Sequence, residues 1–275
     1  MASPSEPELD GLRREVDRID GAAVELLAER LHVVRSIAAL KNREATGRPA
    51  IRPGREAAIL RRLVAQAGPR FPAATLVRMW RELLAATTRA QAPLNVAACV
   101  PPDRPELWDL ARDHFGSTAP IRRLTDGAEA VRLVAEGEVD LAVMPLPGTG
   151  GDWWASLAGQ MPRIVARLPF VTGLGVGGAL VLGAAPPDAS GDDLTLLVAE
   201  TVAGAAPDGL PAMLGAAGLA ARVLAAARTG DGCDLHLVEV DGMLGVDDAR
   251  LAELREPVLR CAWLGGYARP LAAGG

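Results

Sequence analysis

In residues 1–92 the side chains able to do chemistry are cations, one carboxylate and two neutral hydrogen-bonding groups, each on the apolar face of a helical pattern. Arg30 interrupts a heptad seam that otherwise reads Leu9, Val16, Ala23 and Ile37, with Leu12, Ile19, Leu26, Val33 and Leu40 at the companion position. A buried guanidinium without a counter-ion is costly, so Arg30 needs an anion. Lys41, the only lysine among 29 basic residues, follows at a spacing that places it about 20° off the Arg30 stripe and about 16 Å along the axis. Arg13 stands four heptads before Lys41 and flanks the same seam, but lies about 25 Å from Arg30 along the helix. An antiparallel partner helix would bring it to the other two. Glu56 opens the stripe Ile59, Leu60, Leu63 and Ala67, while Thr87 and Gln91 continue Leu76, Trp80, Leu83 and Leu84. Cations, an acceptor and neutral donors with no nucleophile among them could converge on one small anionic molecule. They imply neither a cofactor nor a metal.

The elements that must position these groups follow from periodicity and breakers. A helix over Leu9 to about Arg43 is roughly 50 Å long at 1.5 Å per residue, ended by Thr46-Gly47-Arg48-Pro49. Pro53 suits the first turn of a second helix to Ala67, and Gly68-Pro69 stops it. A third runs from about Pro72 to Gln91. One long helix is too long to be covered by two short ones, so the core closes by pairing two chains into an intertwined dimer.

After Pro93 the period changes. Leu94–Val100, Ile121–Leu124 and Leu141–Met144 read as buried strands separated by helices over Pro105–Phe115 and Gly127–Glu136, an open parallel arrangement. Pro186–Asp193 reads as a linker. From Leu194 the order is strand, helix, strand, strand, helix, strand, a ferredoxin-like βαββαβ pattern. The expected fold class is multidomain: an all-α intertwined helical dimer domain over 1–92, an α/β lobe over 93–186 and a ferredoxin-like α+β domain over 187–275.

Composition narrows the function. Residues 1–92 carry 16 basic and 11 acidic groups, and the remainder 13 and 23, so the helical part is net +5 and the rest net −10. A modestly basic helical region fits a small anion and lacks the dense basic, aromatic-laced stripe that nucleic acid requires. Cys99, Cys233 and Cys261 are odd in number and scattered, and read as reduced core thiols. The uncharged run Leu168–Pro187 is broken by glycines and prolines and does not read as a membrane span. Met1–Glu8 reads as a frayed polar tail, and a cytoplasmic location is expected. His32 reads as a surface residue of the long helix, with His114 and His236 packed beside strands. Gly173-Leu-Gly-Val-Gly-Gly178 has dinucleotide-loop spacing but is followed by a strand-like segment where that fold needs a helix.

Leu12-Arg13, Ile19-Asp20, Leu27-Ala28-Glu29-Arg30, Lys41, Arg48-Pro49, Arg55-Glu56 and Thr87 with Gln91 carry a resemblance. Residues 9–91 resemble the all-helical chorismate mutase domain, of the type fused to prephenate dehydratase in bifunctional enzymes. The resemblance implies that Arg30 and Arg13 of the partner subunit clamp the two carboxylates of chorismate. It also implies that Lys41 and Gln91 hydrogen-bond the enol ether oxygen and that Glu56 takes the ring hydroxyl. Thr87 corresponds to a serine near a carboxylate, and Arg55 to a supporting arginine. Where the family usually has an aspartate shortly before Arg-Glu, this chain has Arg52. The implied reaction, chorismate to prephenate, is pericyclic and needs no base or cofactor. An isochorismate-pyruvate lyase uses a similar pocket, and a non-catalytic shikimate-pathway sensor or partner is the alternative of another class.

Residues 94–270 resemble more faintly a prephenate dehydratase followed by an ACT regulatory domain, through Val139–Pro145, Leu180–Gly183, Ser190–Leu194 and Leu264–Arg269. Gly177-Gly178-Ala179 stand where the dehydratase has Thr-Arg-Phe, and Pro147-Gly148 replace its Glu-Asn before Thr149. This region therefore reads as a catalytically inactive remnant. Gly209-Leu210 match an effector loop while Ala225-Ala226-Ala227-Arg228 replace its Glu-Ser-Arg-Pro, which leaves an amino-acid effector as a candidate partner there without favouring one.

Overall fold

The chain is seen here in a computed structural model that describes residues 6–41, 51–149, 151–157, 161–173, 175, 177–204, 209–228, 232–252, 254 and 258–272. It divides into two compact units. One comprises Met1–Pro49 with Thr87–Pro93, and the other Ala50–Ala86 with Leu94–Gly275.

The first unit is dominated by α1 (Glu6–Lys41), 36 residues without interruption. It begins at Glu6, so the Glu6–Glu8 part of the expected frayed tail is helical, with Glu6 and Glu8 in the first turn, where carboxylates favour the helix dipole; residues 1–5 lie outside the described residues. Ten large apolar side chains of this helix are exposed: Leu9, Leu12, Val16, Ile19, Val24, Leu26, Leu27, Val33, Ile37 and Leu40. A stripe of that length is far more apolar surface than a helix facing water normally carries. Arg13–Asp10 and Arg18–Glu15 ion pairs occupy the polar side at 3.0 and 2.7 Å.

The second unit begins with α2 (Pro53–Ala67) and takes in α3 (Ala73–Arg89) as far as Ala86. A sheet follows, formed by β1 (Val96–Cys99), β2 (Ile121–Leu124), β3 (Leu141–Pro145), β4 (Arg163–Leu168) and β6 (Ala179–Gly183), with β7 (Asp193–Thr201), β8 (Ala221–Arg228), β9 (Asp234–Asp241) and β10 (Val258–Ala268). Its order is β2-β1-β3-β6-β4-β10-β7-β9-β8. The expected parallel strands are the β2-β1-β3 ladder, connected by α4 (Glu106–Phe115) and α5 (Gly127–Ala135). The βαββαβ segment folds as β7, α6 (Gly209–Ala216), β8, β9, α7 (Ala249–Ala252) and β10, all antiparallel. One sheet runs through both regions because β10 also pairs with β4 at Gly265–Ile164. Gly265 has φ +124°, and a Cβ there would lie 2.2 Å from the Ile164 carbonyl oxygen, so only glycine lets the two strands meet. A small two-stranded ladder joins β5 (Val171–Thr172) to β11 (Leu271–Ala272).

The helices α2 and α3 have no separate core. Ala57, Leu60, Val77 and Leu84 are buried with Phe170 and Val171, and Ala268 and Leu271 pack against the same cluster. The buried stripe of α2 is thus Gly54, Ala57 and Leu60; of the expected Ile59, Leu60, Leu63 and Ala67, Leu60 is buried and the other three are half-buried, because Phe170 and Val171 supply the apolar surface that α2 covers. His114 lies on α4, lining a cavity together with Leu168 and Val171. His236 lies on β9 and its Nε2 meets the Thr201 hydroxyl at 3.1 Å. Cys99 and Cys261 have their thiols pushed up to about 11, chiefly by burial. Among the described residues no helix is long and apolar enough to cross a membrane.

Candidate active site

Glu56 sits in the first turn of α2 and its Oε2 accepts from Arg81 Nη1 of α3 at 2.7 Å. Arg81 is only 5% exposed, held among Val77, Leu84 and the Phe170 ring, whose centroid is 5.8 Å from the guanidinium carbon. Burial pushes the Glu56 carboxyl above the usual carboxylate range, with the Arg81 charge pulling against it and Asp188 adding to the rise. Arg81 Nε is buried with no hydrogen-bond partner. The pair is therefore a desolvated ion pair that fixes where one carboxylate oxygen lies.

The N-terminus of α2 is anchored from a distant part of the sequence. Arg52, the residue before the helix, offers no capping side chain. Asp188 does so instead, accepting from the Gly54 amide at 2.9 Å, the Arg55 amide at 3.2 Å and Arg52 Nε at 3.2 Å. Farther along α2, Arg61 donates to Ser190 Oγ at 2.8 Å and to the carbonyls of Asp192 and Arg269 at 2.6 and 2.8 Å. The stretch expected to be a linker is thus a bonded platform. Neither Arg52 nor Arg55 is buried, and the Arg55 side chain is exposed.

In the first unit, Arg30 is the polar break in the α1 stripe. Its Nη1 is buried and makes no hydrogen bond, and burial lowers its affinity for the proton. Arg13 is exposed and paired with Asp10. Thr87 is buried, and Gln91 Nε2 donates to its carbonyl at 3.1 Å. Lys41 closes α1, but its side chain, like Arg48-Pro49, lies outside the described residues. Thr87 and Gln91 are thus joined directly, and Arg52, Arg55 and Glu56 are gathered by Asp188 and Arg81.

Sequence reasoning missed Arg81, Asp188 and Arg61. A signal existed for Arg81, which stands at helical spacing from Val77, Leu84 and Ala85, all buried. For Asp188 the only local hint is Arg52, a cation where a helix start favours an acid.

Beside Arg81 lies a cavity of about 330 Å³ between α3, α4 and Leu168–Val171, lined by Val77, Leu110, His114 and Phe170 among others. Burial, with the charge of Arg81, holds the His114 imidazole well below the usual histidine range. The unfolded chain protonates His114 near pH 6.5 while the folded chain refuses the proton. Stability therefore falls as pH drops below that point, by at most about 1.4 kcal/mol per pH unit from this group. Urea midpoints measured from pH 7 to pH 5 should fall more steeply for the natural chain than for His114→Gln.

In the sheet-rich region, Thr149 Oγ1 donates to the Leu146 carbonyl at 2.6 Å, and Gly177-Gly178-Ala179 bring no ionisable group. Leu210 of the effector-loop match is buried, and Arg228 pairs with Asp234 at 3.0 Å. Among the described residues no three His, Cys, Asp or Glu side chains are grouped to hold a metal.

Residues 12–92 match the family model of chorismate mutase type II. A bifunctional chorismate mutase/prephenate dehydratase of Pseudomonas aeruginosa is 27% identical over 142 residues, which is 50% of this chain and 39% of the relative. The chain therefore spans well under half the length of the curated relative it matches. Among solved structures, a prephenate dehydratase from Arthrobacter aurescens in complex with L-Phe aligns with TM-score 0.48 and 16% identity, covering 66% of this chain and 93% of that one. GqqA, described as a novel type of quorum-quenching acylase, aligns with TM-score 0.47 and 18% identity over 63% of this chain and 94% of its own.

Proposed function

We propose that this chain, whose residues 12–92 form a chorismate mutase type II domain, converts chorismate to prephenate in aromatic amino acid biosynthesis. The observation that carries the reading is Arg30: a partly buried guanidinium with an unsatisfied Nη1 in an apolar helix stripe, awaiting an anion. The reaction breaks one C–O bond and forms one C–C bond in a single cyclic shift, so the protein need only fix a chair-like conformer and stabilise charge on the departing ether oxygen. Arg30 and Arg13 of the partner subunit hold the carboxylates, with Thr87 and Arg55 in support. Lys41 and Gln91 donate to the ether oxygen. Glu56, with Oε2 engaged by Arg81, offers Oε1 to the ring hydroxyl. Arg52 is bound to Asp188 and contributes to substrate only through the local field.

The same reading requires a homodimer, supported by the exposed heptad stripe of α1, which a second copy would cover antiparallel. Ile19→Glu should leave a monomer by analytical ultracentrifugation and lower activity by at least tenfold, since a charge in a buried seam is strongly unfavourable. We assign residues 93–186 to a dehydratase-like lobe and 187–275 to an ACT-like domain, both catalytically inactive, in a cytoplasmic protein. Chromatographic analysis of chorismate incubations, with and without phenylalanine or tyrosine, tests the whole reading. Prephenate formation supports it, pyruvate release from isochorismate would replace it with the lyase, and no consumption above the solution rate would replace it with a sensor.

A further inference from the structure

We propose that Asp188 is a positioning residue for the mutase site: from the sheet-bearing half of the sequence it holds the first turn of α2, and with it Glu56. The inference rests on the mutase reading above and deepens it. A helix start leaves amide donors without intrahelical partners, and the choice of capping group fixes how the first turn lies. In α2 that group is supplied by neither Arg52 nor any neighbour in sequence. Asp188 engages the Gly54 and Arg55 amides, one with each carboxylate oxygen, and accepts from Arg52 as well. Glu56 is the next residue.

The approach is close enough to exclude any side chain. A Cβ on Gly54 would lie 2.0 Å from the Asp188 carbonyl oxygen and 2.9 Å from that of Ala189. The helix is thus seated backbone to backbone on residues 188–189 and cannot slide without losing the cap. Arg61 fixes it at a second point through Ser190, Asp192 and Arg269. The seat is itself rigid, since the Asp193 carboxylate accepts from the Ser190 and Gly191 amides and from the Ser190 hydroxyl. The Arg269 amide donates to the Asp192 carbonyl. Two anchor points define the axis of α2, and Arg81 then fixes the Glu56 side chain on it. The C-terminal half thereby acts on the proposed reaction without contributing a group to it.

The test uses the full chain. Asp188→Ala removes the cap, and kcat/KM for chorismate should fall on the order of tenfold or more, as misplacement of about 1 Å can cost a hundredfold. Amide hydrogen exchange at residues 54–57 should accelerate on the order of tenfold. Asp188→Asn keeps one oxygen acceptor for one of the two amides and turns its NH2 toward the other donors, so it should recover part of both readouts and fall between the natural chain and Asp188→Ala. A purely structural role would lower the melting temperature and leave kcat/KM of the folded protein unchanged, which overturns the proposal. Equal impairment of the Asn and Ala variants also overturns it, because charge rather than positioning would then be at work. If Asp188→Ala does not fold, Asp188→Ser carries the same comparison with a smaller expected drop. Should the natural chain fail to convert chorismate, the mutase reading falls, and the exchange rates alone then judge whether Asp188 holds α2.

Discussion

On the proposed mutase reading, Lys41→Ala is expected to lower kcat/KM for chorismate by on the order of a thousandfold, with the proposed dimer and the helical content intact. Removing one preorganised donor from a developing oxyanion typically costs a hundredfold to a thousandfold, and in a pericyclic reaction no base or nucleophile remains to share the load. The loss should appear in kcat more than in KM, because the ether oxygen gains its charge only towards the transition state. Lys41→Arg is the sharper comparison. Arginine keeps the charge but presents a planar fork on a longer, more rigid head, where lysine offers a compact point donor on a flexible stem. A drop of at least tenfold is expected. The chain uses arginine at every other basic position, so if arginine serves equally well here, the single lysine reflects base composition alone. Steady-state kinetics with circular dichroism on the three proteins separates these outcomes.

What could be read in advance was whatever depends on near neighbours. The bounds of α2, set by Pro53 and by Gly68-Pro69, fall where the breakers place them. The βαββαβ order needed only the switch from one apolar period to another. Strand β6 is the strand-like segment that follows the glycine-rich loop, whereas β4 escaped because Arg163 and Arg167 break its short apolar run. Strand β10 runs through Gly265-Gly266 to Ala268, because Gly265 accommodates the close approach of β4.

The site divides in the same way. Arg30 was legible as a cation out of place in a heptad, and Glu56, Thr87 and Gln91 as polar groups on apolar faces. Their partners were not. Asp188 lies more than 130 residues from the amides it caps, and the Arg61 anchor rests largely on the backbone carbonyls of Asp192 and Arg269, which every residue owns and no composition reveals. A stretch rich in Pro and Asp reads as a linker by type, and only its fold shows it to be a seat for a helix.

Arg81→Met is expected to destabilise the protein by about 2–3 kcal/mol, because it leaves the partly buried Glu56 carboxylate without its cation. Methionine preserves much of the packing against Val77 and Phe170, so the loss reports the charge rather than a cavity. The pH dependence gives the diagnostic. The Glu56 pKa is already raised by burial, and removing the opposing Arg81 charge raises it further. The folded variant then holds a proton that the unfolded chain, titrating near pH 4.5, has released. Its stability is therefore greatest below that pH and falls as pH rises towards the new folded-state pKa. Urea unfolding at pH 5 and pH 8 should show the deficit relative to the natural chain growing with pH. Adding Glu56→Gln removes the charge and should recover more than half of the lost stability, while leaving turnover of chorismate depressed. A cost below about 1 kcal/mol, or a deficit that does not change with pH, would mean that water reaches Glu56 and that Arg81 does not set its position.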